Sequence, residues 1–203
     1  MKMVVFDLGG VMVRIAKTWG EAAATAGYPG MVNGHADFPL SGFTGFEPFQ
    51  AGVHTEEEFL EDLRSWLGVS SSELALAIHQ GILIEPYPGT LELVQSLHQQ
   101  GIGTGCLSNT NAPHWHRMSD HAQFPAIASL KVPGLSHEMR AEKPNPDIYH
   151  AFESISGVNG RDIVFFDDLM ANVEGAKACG WRAHRIDPSG DTADQMRLHL
   201  SEY

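Results

Sequence analysis

Five short runs rich in β-branched and apolar residues, each bounded by turn formers or carboxylates, constrain this chain more than any other feature. They cover residues 3–6, 102–107, 126–130, 163–166 and 182–186. Most lack the apolar–polar alternation of a half-solvated strand, so both of their faces are expected to be covered, as in a parallel sheet. Gly103 and Gly105 weaken the second run. Helical patterns fill the gaps. One opens at Pro88-Gly89-Thr90, carries Leu91, Val94 and Leu97, and stops at Gly101. A second runs through Pro146, Ile148, Tyr149 and Phe152, and a third from Asn172 through Val173 and Ala176 to Gly180. Strand–helix–strand alternation of this kind predicts an α/β fold with a doubly wound, Rossmann-like parallel sheet.

Residues 15–85 read differently. No convincing strand lies there, but two capping boxes do. Thr55-Glu56-Glu57-Glu58 leads into Phe59, Leu63, Trp66 and Leu67, and Ser70-Ser71-Ser72-Glu73 leads into Leu74 and Ile78. The Gly- and Pro-rich segment 27–48 reads as loops joining short helices. Within residues 15–85, Phe38, Phe43, Phe46 and Phe49 read as packing residues rather than a substrate box. The predicted organisation is a core of residues 1–14 and 86–203, interrupted by a small helical module of residues 15–85. Residues 11–14 and 83–88 are the expected linkers.

A chain of 203 residues that is 43% hydrophobic can bury a substantial core. Its 25 Asp and Glu against 13 Lys and Arg give a formal net charge of −12, which disfavours nucleic acid and anionic membrane as partners. Cys106 and Cys179 both sit in apolar surroundings and are expected to be reduced, as in an intracellular protein. The apolar run before Asp7 is too short for a signal peptide or a span. The expectation is therefore a soluble, cytoplasmic protein. Its oligomeric state is not legible.

Ligands of an open parallel sheet bind at the carboxyl ends of its strands, so the polar residues that close the runs matter most. The first run ends in Asp7-Leu8-Gly9-Gly10, the second in Ser108-Asn109-Thr110-Asn111, and the fourth in Asp167-Asp168; Lys143 precedes Pro144 between the third and fourth. Singly, each has a plain explanation as a turn former, helix cap or solvated loop residue. Adjacent carboxylates such as Asp167-Asp168 are less plain, because they repel unless a cation or donor lies between them.

Together and in this order, these stretches resemble the haloacid dehalogenase superfamily. The resemblance rests on Val4-Val5-Phe6-Asp7-Leu8-Gly9-Gly10-Val11, Leu107-Ser108-Asn109-Thr110-Asn111, Glu142-Lys143-Pro144-Asn145-Pro146-Asp147-Ile148-Tyr149, and Val164-Phe165-Phe166-Asp167-Asp168 continuing to Asn172-Val173-Glu174-Gly175-Ala176. It implies a helical cap domain in the insert and an Mg²⁺-dependent phosphohydrolase acting on a small phosphorylated metabolite, a sugar phosphate being one option. Asp7 is implied as the nucleophile that forms an aspartyl-phosphate. Asp7, Asp168 and the Gly9 carbonyl are implied as metal ligands, with Asp167 binding through water or positioning Lys143. Ser108, Asn109 and Lys143 are implied to bind the phosphoryl group, and Asn172 to cap or orient.

One position departs from the pattern. The family's acid/base aspartate, two residues after the nucleophile, is Gly9 here. General acid–base help is typically worth ~10²–10⁴ in rate. Activity can survive on good leaving groups such as acyl or anomeric phosphates, another group can stand in, or the protein can be a slow or non-catalytic relative that binds phosphate. Resemblance to a branch with Asp-x-Gly here, similar to α-glucose-1-phosphate phosphatases, favours the first. His114 and His116 are candidate stand-ins, or two ligands of a metal site without a visible third, weighed against loop residues that pack Trp115 against the cap. A 2-haloacid dehalogenase is an alternative, but that chemistry needs no metal, so Asp167-Asp168 argues against it. A phosphomutase needs the aspartate that Gly9 lacks.

Overall fold

The computed structural model describes residues 1–32 and 34–203; Asn33, inside the segment read as loops, lies outside them. Seven strands form: β1 (Met3–Phe6), β2 (Val13–Ile15), β3 (Leu83–Pro86), β4 (Gly103–Ser108), β5 (Val132–Leu135), β6 (Ile163–Asp167) and β7 (Arg182–Arg185). Five of them make one parallel sheet in the order β5-β4-β1-β6-β7. The continuous apolar runs have the expected cause. Val4, Phe6, Val164 and Phe166 pack on one face with the helices Thr90–Gln99 and Thr192–Leu200, while Val5, Ile163 and Phe165 pack on the other with Pro146–Ser156 and Met170–Ala178. The sheet is doubly wound, as the sequence predicts.

The expected strand at 126–130 does not form. Pro125, at the first position of a turn, starts the short helix Pro125–Ala128, whose Ala126 and Ile127 enter the core. A short apolar run cannot by itself distinguish a buried strand from a buried helix. The fifth strand is Val132–Leu135, and its Pro133 disguises it in the sequence. An edge strand tolerates proline because the missing N–H costs no ladder bond, and β5 is at the edge.

The insert has its own core, separate from the two that sandwich the sheet, built on Trp19, Phe43, Phe49, Phe59, Leu63 and Leu67. Phe38 is the exception among the four phenylalanines, being 49% exposed. Thr55 caps the helix Glu56–Leu67 with the full reciprocal box. In the second box the cap is Ser71 rather than Ser70: its hydroxyl accepts the Leu74 N–H at 3.3 Å and starts the helix Ser72–Gln80. The two linkers are β2 and β3, which pair antiparallel as a ribbon and are tied by Arg14 to Glu85 at 2.9 Å. No helix among the described residues is long and apolar enough to cross a membrane, and both cysteines are free.

Candidate active site

Strand register assembles the site. Phe6 is level with Phe166, so the next residues, Asp7 and Asp167, stand side by side at the carboxyl end of the sheet. The Asp7 N–H donates to the Phe166 carbonyl at 2.8 Å. Ser108 closes β4 on the other side of β1. The Lys143 ammonium lies between the carboxylates, donating to Asp7 Oδ1 at 2.8 Å and to Asp167 Oδ2 at 2.6 Å, with its side chain 1% exposed.

The surroundings fix this lysine from two directions. Asn109 accepts the Lys143 N–H at 2.8 Å and donates its amide to the Lys143 carbonyl at 3.0 Å. The Asn109 side chain, expected to bind substrate, thus gives one N–H and one oxygen lone pair to holding Lys143, and its second N–H remains for a ligand. Asp167 is fully buried. Its Oδ1 accepts the Leu169 N–H at 2.9 Å and the Asn172 amide at 3.0 Å, while Oδ2 accepts Lys143. Asn172 sits in the first turn of its helix and orients Asp167, and Tyr149 donates to the Asn172 carbonyl at 2.8 Å. That part for Tyr149 had no signal in the sequence beyond its place on a helix.

Asp168 follows, and adjacent Gly10 makes room for it. Gly10 has φ +77°, and a Cβ there would come 2.6 Å from Asp168 Oδ2. Gly9 is different. A Cβ at Gly9 would touch only the methyl groups of Ile15 at 3.5 Å, an ordinary contact. Neither space nor backbone demands glycine at the position where the family pattern places an acid.

One oxygen from each of Asp7, Asp167 and Asp168 lies within 4.8 Å of the others. Burial pushes the Asp7 carboxyl above its ordinary value, Lys143 pulls it back, and Asp167 pushes it up again. Burial would lower the Lys143 ammonium, but Asp7 and Asp167 raise it instead. Asp168 is pushed up to about 7 by burial, then by Asp7 and Asp167. Three carboxylates against one ammonium leave a negative surplus that a divalent cation offsets, and an all-oxygen donor set suits Mg²⁺.

His114 is buried in a joint between insert and core. Its ring stacks on His79 at 4.0 Å, its Nε2 bonds the His79 carbonyl at 3.0 Å, and Asn111 bonds both the His79 ring and the His114 N–H at 3.1 Å. A carbonyl only accepts, so Nε2 carries the hydrogen. Burial holds His114 at about 4 and His79 well below the ordinary range. Such a histidine is a poor stand-in acid. His114 and His116 also form no metal pair, because residues two apart on the helix Ala112–Met118 do not face each other. Trp115 does not pack against the insert as expected: its helix turns it onto the sheet's own core with Phe6 and Met118.

The family model for haloacid dehalogenase-like hydrolases matches residues 1–180. The chain belongs to the haloacid dehalogenase-like hydrolases. Among relatives of this family, Phosphatase MT3486 of Mycobacterium tuberculosis is 31% identical over 147 residues, covering 71% of this chain and 67% of that protein. Among solved structures, the family enzyme bt-2542 of Bacteroides thetaiotaomicron, in complex with magnesium and inorganic phosphate, is 25% identical with TM-score 0.78, over 94% of this chain and 96% of that one. L-2-haloacid dehalogenase of Xanthobacter autotrophicus, with chloropropionic acid covalently bound, shares the fold at 22% identity and TM-score 0.66, over 98% and 83%. The chain is thus a haloacid dehalogenase-like hydrolase with a phosphatase among its relatives.

Proposed function

We propose that the chain is an Mg²⁺-dependent phosphohydrolase of a small phosphorylated metabolite, acting through an aspartyl-phosphate at Asp7. The observation that carries this reading is the Asp7 carboxylate, held 2.8 Å from a buried ammonium and close to the Asp168 carboxyl, itself pushed up to about 7. Asp7, Asp168 and the Gly9 carbonyl would hold the metal. Asp167, whose oxygens are engaged with Lys143, Asn172 and Leu169, would act through water or by positioning Lys143. When bound, Mg²⁺ supplies charge neutralisation for the meeting of two anions.

The remaining work belongs to the chain. An Asp7 oxygen bonds to phosphorus as the leaving oxygen departs with its electron pair, and water later displaces Asp7 to release inorganic phosphate. Ser108 and the N–H groups beside it bond the phosphoryl oxygens, and Lys143 adds fixed positive charge. The insert acts as the cap over this rim. The similarity to a phosphatase and to an enzyme solved with magnesium and phosphate supports the reading; the dehalogenase shares the fold only. A second reading, a phosphate-binding relative without turnover, is motivated by Gly9.

The test is phosphate release from a phosphometabolite panel with Mg²⁺ and with chelator. Activity is expected only with Mg²⁺, and Asp7→Asn is expected to lower kcat by ~10⁴-fold or more. Full activity in Asp7→Asn would refute the nucleophile. No turnover with Mg²⁺ binding intact would favour the binding protein, and chloride release from a haloacid without metal would establish a dehalogenase.

A further inference from the structure

Resting on the phosphohydrolase reading, we propose that the physiological substrate is the phosphate of a small, largely apolar carboxylic acid or phenol. Its leaving group would occupy the cavity between Ser108 and the insert and depart without a proton. This cavity, about 230 Å³, is bounded on the core side by Leu8, Gly9 and Ser108, and on the insert side by Leu40, Phe46 and Ile82. A second, larger cleft of about 610 Å³ lies beyond Ile15 and Leu40, and contains Arg14, Lys17, Glu21 and the metal-side carboxylate Asp168. Ser108, the phosphoryl-binding hydroxyl, opens on the first cavity and not the second. The group attached to the phosphoryl therefore enters the apolar side.

The polar groups of that cavity are neutral. The Asn109 amide gives one N–H and one lone pair to Lys143, and the His114 Nε2 hydrogen goes to the His79 carbonyl. Beyond Ser108 and Thr110, two polar side chains are unengaged among the described residues, the Gln50 amide and the Ser41 hydroxyl. They can bond a carbonyl or ring oxygen but hold no acidic proton. Among the described residues, no Lys, Arg, Asp or Glu lines the wall. A sugar carries hydroxyls all round its ring, and those turned to Leu8, Ile15, Leu40, Phe46, Ile82 and Leu83 would be buried unpaired at a cost in free energy. An acyl or aryl group instead buries apolar surface on an apolar wall.

The missing acid points to the same class. When an Asp7 oxygen bonds to phosphorus, the bond from phosphorus to the leaving oxygen breaks. The electron pair stays on that oxygen, giving a carboxylate or phenolate that is stable unprotonated near neutral pH or only mildly basic. Water then bonds to phosphorus, the Asp7 oxygen leaves with its pair as carboxylate, and the water's proton passes to the released phosphate or solvent. A sugar alkoxide would need the proton that Gly9 cannot give. The Asp-x-Gly resemblance points to anomeric sugar phosphates; the cavity and its proton inventory point away from them.

The test compares kcat/KM with Mg²⁺ for benzoyl phosphate, a series of aryl phosphates of graded phenol acidity, and glucose 1- and 6-phosphate. The wild type, Gly9→Asp and Gln50→Glu are measured. In the wild type, benzoyl and acidic aryl phosphates are expected to exceed the sugar phosphates by ~10²-fold or more, with rates rising steeply with phenol acidity, because general acid help of ~10²–10⁴ is absent. Gly9→Asp is expected to flatten that slope and narrow the gap. Gln50→Glu, which puts a charge in the cavity, is expected to raise KM for the aryl phosphates. Sugar phosphates turned over as well as aryl phosphates, a flat slope in the wild type, or no effect of Gln50→Glu would overturn the inference while leaving the phosphohydrolase standing. Phosphate released from none of the series would overturn both.

Discussion

The two walls of the site are built on opposite principles. On the sheet side, Asp7, Asp167, Asp168 and Lys143 put four ionisable groups together, and their geometry keeps charge where water is scarce. Where the insert meets the core, His79 and His114 are buried as neutral rings, stacked and hydrogen-bonded, and no Lys, Arg, Asp or Glu among the described residues lines the apolar cavity. The first wall can hold a metal and a phosphoryl group. The second can only shape and dry what enters. The difference teaches that ionisable groups are gathered at the strand ends and kept away from the insert, and that Gly9, at the seam, has joined the second wall.

The sharpest way to break this contrast is to remove the cation that organises the charged wall. In Lys143→Met, Asp7 and Asp167 face each other without the ammonium that bridges them at 2.8 and 2.6 Å. Breaking a buried ion pair from one side costs ~3–5 kcal/mol, and that loss is expected in urea unfolding of the metal-free protein at neutral pH. The loss should shrink in mild acid, where a carboxyl takes a proton. A loss below ~1 kcal/mol, the range of exposed pairs, would mean the lysine is not what holds the carboxylates together.

The charged wall was legible in the sequence and the neutral one was not, for a physical reason. Strands of a parallel sheet are buried on both faces, so their first polar residue marks the rim; Asp7, Ser108 and Asp167 could be placed without coordinates. The insert docks through side chains distant in sequence. Nothing near Ser72–Gln80 signals that His79 will stack on His114, and the two hydrogen bonds from Asn109 to Lys143 need a fold to become visible. The edge strand with Pro133 escaped notice because edge positions relax the rules by which strands are recognised. The sequence singles out Gly9, yet it is Gly10 that its neighbour forces to be glycine.

Proton linkage sharpens the contrast further. Asp168 is pushed up from 3.8 to about 7 without metal. Between those values the folded carboxyl holds a proton that the unfolded chain has released, so this group's contribution to stability falls as pH rises through that window. A metal must expel the proton. Mg²⁺ affinity is therefore expected to rise by up to ~10-fold per pH unit below about pH 7 and to level off above it. Calorimetric titration with Mg²⁺ across this range measures it, and Asp168→Asn should bind weakly with no such slope. Affinity independent of pH in the wild type would detach Asp168 from the metal.

The smallest effect belongs to the neutral wall, and its sign is opposite. Burial holds His114 at about 4 against an ordinary 6.5, with His79 lowered beside it by burial and by His114. The groups facing this pair are the Asn111 amide, the His79 carbonyl and the Arg117 guanidinium, which bonds the Gln80 carbonyl. None is an anion that would welcome an imidazolium. Between 6.5 and about 4 the unfolded histidine gains a proton and the folded one does not, so stability is lost as pH falls through that window. Each pH unit removes ~1.4 kcal/mol per histidine at most, which for a chain of this size is ~3–6 °C in Tm. His114→Gln keeps a donor for the His79 carbonyl but has nothing to protonate, so its Tm should fall less steeply than the wild type's as pH is lowered from about 7 to 5. Identical slopes in the two proteins would mean that the insert is not held against the core by uncharged histidines, and that the joint tolerates charge as the sheet side does.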